Sequence, residues 1–329
     1  PAAWEPPDLP LLTGVYQENN RLAAVEHLGE GAGFAPEGVT IDSEGRIYAG
    51  MEDSRIIRFA ADGSDPQLFA DTGGRPLGMA FDAQGDLIVA DAFKGLLSIS
   101  PQGVLTVLTN ELSGQTILFA NDLDITAEGT IFFSNTSTRF SIDEFMLDSI
   151  VHQPNGQLLA YEPSTGSTRI VLDNLYFANG VAISPDQNFL LVVETGEYRV
   201  RRYWLAGPNQ GEVDIFIENL PGIPDNITSN GENLFWLALN QGPPTRQTLD
   251  PFLPLPFLRK VLWRLPESLR PAATPFGYVL GLDSNGIVRY NLQDPSGDSY
   301  AEISSVMEHS GTLYLGSIGE DSIGRVPIH

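Results

Sequence analysis

The chain has 329 residues, a formal net charge of -24, 42% hydrophobic residues, Gly 33, Pro 24 and Cys 0. So acidic a chain offers no basic stripe to neutralise phosphate backbones, which excludes nucleic acid as a partner. The lack of cysteine excludes disulfides, thiolate nucleophiles and Cys-ligated zinc. No apolar run reaches the roughly 18 residues of a membrane-crossing helix. The chain opens at Pro1 rather than Met, which fits processing of an upstream signal or anchor. An exported, periplasmic or membrane-tethered setting is therefore expected rather than a cytoplasmic one.

Residues 1–20 are Pro-rich and aperiodic and predict an extended strap laid over a body; Arg21 to Gly29 predict a strand. A repeat follows. Five stretches share one pattern: Glu37-Gly38-Val39-Thr40-Ile41, Leu77-Gly78-Met79-Ala80-Phe81, Asn121-Asp122-Leu123-Asp124-Ile125, Asn179-Gly180-Val181-Ala182-Ile183 and Asp225-Asn226-Ile227-Thr228-Ser229. Apolar residues at every second place mark strands with one buried face. Turns such as Asp42-Ser43-Glu44-Gly45 and Asp82-Ala83-Gln84-Gly85 recur in register. Leaders at 37, 77, 121, 179 and 225 lie 40, 44, 58 and 46 residues apart, the period of propeller blades. A sixth unit near Ile303 to Val306 lacks one strand, which the segment Ala23 to Leu28 is placed to supply. The expectation is an all-β, six-bladed propeller forming a single domain over residues 1–329, clasped between its two ends.

Two insertions interrupt the spacing and read as lids. Residues 140–155 predict a helix with Ile142, Phe145, Met146 and Ile150 on one face. Residues 241–275 predict a basic apolar helix near Phe257 to Leu265 between Pro-rich arms. Phe252, Leu253, Leu255, Phe257, Leu258, Leu262 and Trp263 beside Arg259, Lys260 and Arg264 leave three readings open for 252–265: a lid, a membrane contact, or packing filler.

In a propeller, equivalent inner-strand positions ring the axis, so four leading oxygens, from Glu37, Asn121, Asn179 and Asp225, with Asn226 beside them, are expected to meet. One Asn or Asp at a strand start usually caps a turn; four in one register point to a site. Buried carboxylates repel and buried amides lack partners, so such a ring calls for a cation or water. Oxygen donors without His or Cys select a hard ion, and mixed carboxylate and amide oxygens suit Ca²⁺ better than Zn²⁺ or Mg²⁺. Leu77 in the second unit and Ser304 in the sixth leave one side of the ion open. A second set at the ends of the following strands, Asp53, Asp91, Asn135, Glu194 and Asn240, is placed to support the ligands or touch substrate, with Asp91 and Glu194 favoured. No nucleophile elbow, zinc-protease or dinucleotide motif occurs. His27, His152, His309 and His329 have no ligand spacing, and His152 is expected to face solvent.

The run FANGVAISPDQNFLLVVETGEYRVRRYWLAGPNQGEVDIFIENLPGIPDNI, with PEGVTID, ADAFKGL, GQLLAYEP and EHSGTLYLGS, resembles the strictosidine-synthase-like family, in particular its adipocyte plasma membrane-associated group. The resemblance spans nearly the whole chain. It places the chain in a superfamily with paraoxonases and gluconolactonases, six-bladed propellers with a channel Ca²⁺, and it implies the ligand set Glu37, Asn121, Asn179, Asp225 and Asn226. Two positions depart from it. Ser304 stands where strictosidine synthase carries its catalytic acid, and Ala90-Asp91-Ala92 where paraoxonase carries a histidine. The expected function is a Ca²⁺-dependent hydrolase of lactones or aryl esters, with side activity on phosphotriesters and Asp225 as general base or nucleophile. The alternative is a non-catalytic propeller whose Ca²⁺ is structural and whose surface binds a partner. Alkaloid-type condensation is disfavoured by Ser304.

Overall fold

The computed structural model describes residues 1–328 apart from the side chain of Glu267; His329, one of the four histidines, lies outside the described residues. Six four-stranded antiparallel sheets follow one another along the chain. The first comprises Gly38–Ile41, Ile47–Gly50, Arg55–Phe59 and Gln67–Asp71. Its first turn closes because Asp42 Oδ1 accepts from the N–H groups of Glu44 and Arg46, both at 2.9 Å, while Gly45 takes φ +80°. The second sheet repeats the device: Asp82 Oδ1 accepts from Gln84 and Asp86 at 2.9 Å, with Gly85 at φ +85°.

The innermost strands are Gly38–Ile41, Pro76–Phe81, Ala120–Ile125, Ala178–Ile183, Ile223–Ser229 and Ile303–His309. Each contacts the next, and the last contacts the first, so the ring closes as a six-bladed β-propeller. The apolar core lies between blades, as where Val193 and Ala182 of blade four meet Phe235, Leu237 and Leu239 of blade five. The closing strand is Glu26–Leu28, which pairs with Ile323–Pro327 at the edge of blade six, Glu26 opposite Arg325. Arg325 also forms an ion pair with Glu26 at 2.8 Å, and His27 bonds Ser322 Oγ at 2.7 Å and Ser299 O at 2.8 Å. The N-terminal segment thus completes the C-terminal blade, as the missing strand of the sixth unit required.

Both insertions leave from the channel mouth that carries the leading residues. Asn135 at the end of blade three's second strand pairs with Ala120, and Gln241 of blade five pairs with Ile223. The first insertion holds helix α1, Phe145–Val151. Its expected apolar face packs only in part: Ile142 joins an apolar cluster with Leu77 and Phe119, and Ile150 is half-buried. Phe145 and Met146 are exposed, and the buried residue is Asp148, which accepts from Ser137 Oγ and Asn155 Nδ2 at 2.8 Å each. A helix of two turns is oriented by this polar tie across the insertion more than by a short apolar stripe. The second insertion holds α2, Pro243–Leu249, which the pattern did not indicate, and α3, Pro256–Trp263. Both begin with proline, whose fixed φ and missing N–H suit the first helical turn.

The strap links the insertions. The Ala2 N–H donates to Val151 O of α1 at 2.8 Å, and the Trp4 N–H to Leu253 O at 3.3 Å. Buried Arg259 of α3 donates to Ile150 O at 2.8 Å and also to Ala2 O. Arg246 of α2 donates to Pro7 O at 2.8 Å.

Candidate functional site

Backbone bulges aim four of the five leading residues; Glu37 instead directly precedes an unbroken ladder. The inner-strand ladder skips between Pro76 and Met79, Ala120 and Leu123, Ala178 and Val181, and Pro224 and Ile227. The skipped pairs are Leu77-Gly78, Asn121-Asp122, Asn179-Gly180 and Asp225-Asn226, so each leader lies off the ladder where a bulge can redirect its side chain. Neighbouring inner strands are very close here. A Cβ on Gly180 would sit 2.4 Å from the Ile227 nitrogen, which only glycine allows.

Asn121 and Asn179 are held by one repeated device. Asn121 Nδ2 donates to Thr136 Oγ1 at 3.0 Å, and Thr136 Oγ1 donates to Ala178 O at 2.8 Å. One blade on, Asn179 Nδ2 donates to Thr195 Oγ1 at 3.1 Å, and Thr195 Oγ1 donates to Pro224 O at 2.8 Å. Because each hydroxyl proton goes to a carbonyl, the hydroxyl must accept from the asparagine, and this fixes which end of the amide faces it. The other ends, Oδ1 of Asn121 and of Asn179, are buried without a hydrogen-bond partner, as is Oδ1 of Asn226. Three orphaned amide oxygens at one channel mouth are a costly arrangement in the absence of a ligand.

The carboxylates share the strain. Burial pushes Asp225 well above the usual carboxylate range, and the charges of Glu37 and Asp122 push it further, against hydrogen bonding from Asn179 and Asn240 beside it. Burial also raises Glu37, although Arg75 lies against it. Arg75 Nη2 donates to Glu37 Oε2 at 2.9 Å, and both Nη groups donate to Ala35 O at 3.2 Å. Blade two thus contributes a guanidinium where its leader, Leu77, contributes no oxygen. At blade six, Ser304 Oγ and Ser305 Oγ donate to Glu37 O at 2.9 and 2.7 Å, sealing the last seam.

Two acids that the leader alignment passed over line the channel below. Asp122 and Asp124 border a cavity of about 90 Å³ together with Asn226, Thr228 and Ser305. Asp122 Oδ2 accepts from the Val181 N–H at 2.8 Å and Asp124 Oδ2 from the Ile183 N–H at 2.7 Å, stitching blade three to blade four. Burial raises them to about 8 and about 6. Their sequence signal was the alternation of Asp122 and Asp124 against Leu123 and Ile125. That of Thr136 and Thr195 was the repeat register carried one residue past the second-strand ends Asn135 and Glu194.

The second set divides. Asn135 Oδ1 accepts from the Phe119 N–H at 3.2 Å and Glu194 Oε1 from the Tyr176 N–H at 3.0 Å, so both hold the chain just before a leader. Glu194 also pairs with Arg199 at 2.6 Å. Asp91 Oδ1 accepts from the Phe93 and Lys94 N–H groups at 2.9 and 3.0 Å, and its Oδ2 has no partner. Asn240 adjoins Asp225, whereas Asp53 is on the surface, paired with Arg55 at 2.6 Å. His152 does not face solvent. It is buried, stacked on Trp4 of the strap at 4.4 Å and 3.2 Å from Glu197 Oε1, because the strap covers it.

Two carboxylates and three amides form an all-oxygen donor set that fits a hard divalent cation: it would satisfy the orphaned amide oxygens and relieve the carboxylate repulsion. Among the described residues no group of three or more His, Cys, Asp and Glu side chains is placed to hold a metal, so the amides are indispensable to that fit.

Residues 121–208 match the family Strictosidine synthase, and residues 14–59 match Strictosidine synthase-like, N-terminal. Adipocyte plasma membrane-associated protein of Bos taurus is 34% identical over 94% of this chain and 79% of its own length. The chain belongs to the strictosidine-synthase-like family. Protein strictosidine synthase-like 10 of Arabidopsis thaliana is 36% identical over 86% of this chain and 82% of its own. Among solved structures, a gluconolactonase from Xanthomonas campestris superposes with a TM-score of 0.65 at 16% identity, covering 92% of this chain and 91% of that one. Regucalcin, a calcium-binding protein from Agrobacterium tumefaciens, gives 0.65 at 14%, covering 93% and 94%. At such identities these two establish the six-bladed architecture of this strictosidine-synthase-like chain, while its chemistry has to be argued from the site.

Proposed function

We propose that this chain is a calcium-dependent hydrolase of lactones or aryl esters, with side activity on phosphotriesters. The observation that carries the reading is the trio of buried, partnerless amide oxygens on Asn121, Asn179 and Asn226 beside two mutually repelling carboxylates. Glu37, Asn121, Asn179, Asp225 and Asn226 would hold Ca²⁺. The bound ion would supply Lewis-acid polarisation of a carbonyl oxygen and stabilise developing negative charge.

The residues then have distinct tasks. Thr136 and Thr195 keep the two asparagine oxygens turned to the channel. Asp225, whose burial makes it a stronger base once ionised, takes a proton from water as the water oxygen bonds to the carbonyl carbon. As the carbon–oxygen bond to the leaving group breaks, that proton passes to the departing oxygen. Gluconolactonase and regucalcin lend the reading support through their fold, and the family's plasma membrane-associated relatives support a membrane-associated or exported setting.

A second reading, a non-catalytic propeller with a structural Ca²⁺, is favoured by one observation: Leu77, Ala92, Phe119 and Phe177 pack into an apolar cluster with Ile142 of the first insertion, beside the blade whose leader brings no oxygen. Assaying a lactone panel and phenyl acetate with Ca²⁺, with chelator and with Asp225→Asn separates the two. Chelator-sensitive turnover lost in the variant supports the hydrolase. A folded protein that binds Ca²⁺ and turns over none of the panel leaves the structural ion standing.

A further inference from the structure

Helix α3 is inverted. Its buried side chain is Arg259, 4% exposed, whereas Phe257 is 79% exposed. Phe257, Lys260, Val261 and Arg264 fall at i, i+3, i+4 and i+7, one face of the helix, and all four are exposed. Leu255 just before the helix and Leu269 beyond it are exposed as well. Trp263 lies half-buried beneath the Arg270 guanidinium at 4.3 Å. Helix α1, in contact with α3, adds exposed Phe145 and Met146.

Charge identifies the occupant. The chain as a whole carries -24, yet residues 251–265 contain Arg259, Lys260 and Arg264 and no acid, and Lys260 is one of only two lysines, the other being Lys94. Apolar side chains interleaved with basic ones on the outer face of a short helix match the boundary of an anionic bilayer: rings and branched chains enter the acyl edge while ammonium and guanidinium groups stay among headgroups. Asp148 within α1 is buried, and the exposed acids next to it, Asp143 and Glu144, sit on the turn before the helix. With Glu267 following in the C-terminal arm, they limit the basic stretch to residues 251–265.

We infer that the outer face of α3, extended by Phe145 and Met146 of α1, docks on an anionic lipid surface. Both helices leave from the mouth that carries Asn121 and Asp225, so docking turns the channel toward the bilayer and opens it to lipophilic molecules dissolved there. The inference stands whether or not the ring is catalytic.

Flotation of the full chain with phosphatidylcholine vesicles, with and without phosphatidylserine, tests it. The expected result is co-flotation with phosphatidylserine vesicles that weakens as salt is raised. Lys260→Gln with Arg264→Gln should lower the partition roughly 25-fold, at about fivefold for each basic residue at an anionic surface. Phe257→Ser should lower it more than roughly tenfold by removing the inserted ring. Circular dichroism of the variants should be unchanged, because these side chains are exposed. The inference is overturned if wild-type protein fails to float with phosphatidylserine vesicles. Equal flotation of the wild type and the folded Phe257→Ser variant overturns it too, as does a Phe257-dependent self-association in sedimentation that abolishes vesicle binding, since the face then belongs to a second copy.

Discussion

The channel mouth and the outer face of α3 break the ordinary inside–outside distribution in opposite senses. At the mouth, carboxylates and amides are buried and three amide oxygens have no partner; on α3, Phe257 stands in solvent while Arg259 is enclosed. A propeller closed by its own clasp has no need of either arrangement for stability. On the two proposals made above, something outside the chain completes each: oxygen donors with surplus negative charge would take a cation, and exposed apolar groups with positive charge an anionic, oily surface.

The largest expected effect is at Asp225. Asp225→Asn should lower turnover of any lactone substrate at least about a hundredfold and reduce the thermal stabilisation by Ca²⁺, read by calorimetry with and without chelator. Unchanged Ca²⁺ stabilisation in the variant would place the cation elsewhere. Next in size is a pH effect. Burial lifts Asp124 from 3.8 to about 6, so the native state binds that proton more tightly than the unfolded chain does. Its contribution to stability is therefore present below pH 4 and is lost as pH rises through 6. Asp124→Asn, which cannot ionise, should gain on the wild type by about 2 kcal/mol between pH 4 and pH 7 in chelated denaturant titrations. A flat difference between the two would show that Asp124 is not desolvated.

Thr195→Val should cost about 1–3 kcal/mol, because Asn179 Nδ2 and Pro224 O both lose the hydroxyl between them. It should also weaken Ca²⁺ binding roughly tenfold or more, since Asn179 is no longer oriented. Calcium titration checks the second effect independently of the first. The smallest effect belongs to the other region: Phe257→Ser should leave stability within about 0.5 kcal/mol of wild type. Stability lost there beyond that range would mean the ring packs on the chain itself, and the contrast between the two regions would collapse.

Much was legible in advance because repetition turns register into geometry. The 40 to 58 residue spacing and the recurrent Asx turns announced blades, and the short sixth unit announced that Glu26–Leu28 must travel to it. The places of the leading residues at the heads of the inner strands were legible for the same reason. Arg75 was not: it lies two residues before a leader that has no oxygen, and only the fold brings it to Glu37. Helix α1 was legible as a helix but its orientation was not, since the tie from Asp148 to Ser137 and Asn155 outweighs a stripe only two turns long. His152 read as a surface residue because nothing local indicates that Trp4, far away in sequence, lies across it.

The sequence by itself determined the number of blades, the clasp, and which residues stand at the head of each inner strand, because these follow from local periodicity and turn chemistry that each segment carries within it. Only the tertiary structure decided which ends of Asn121 and Asn179 face the channel, which charges oppose Glu37 and Asp225, and which side of α3 is turned outward. Those depend on hydroxyls, carbonyls and guanidinium groups contributed by other blades and by the strap, and no segment encodes its neighbours in space.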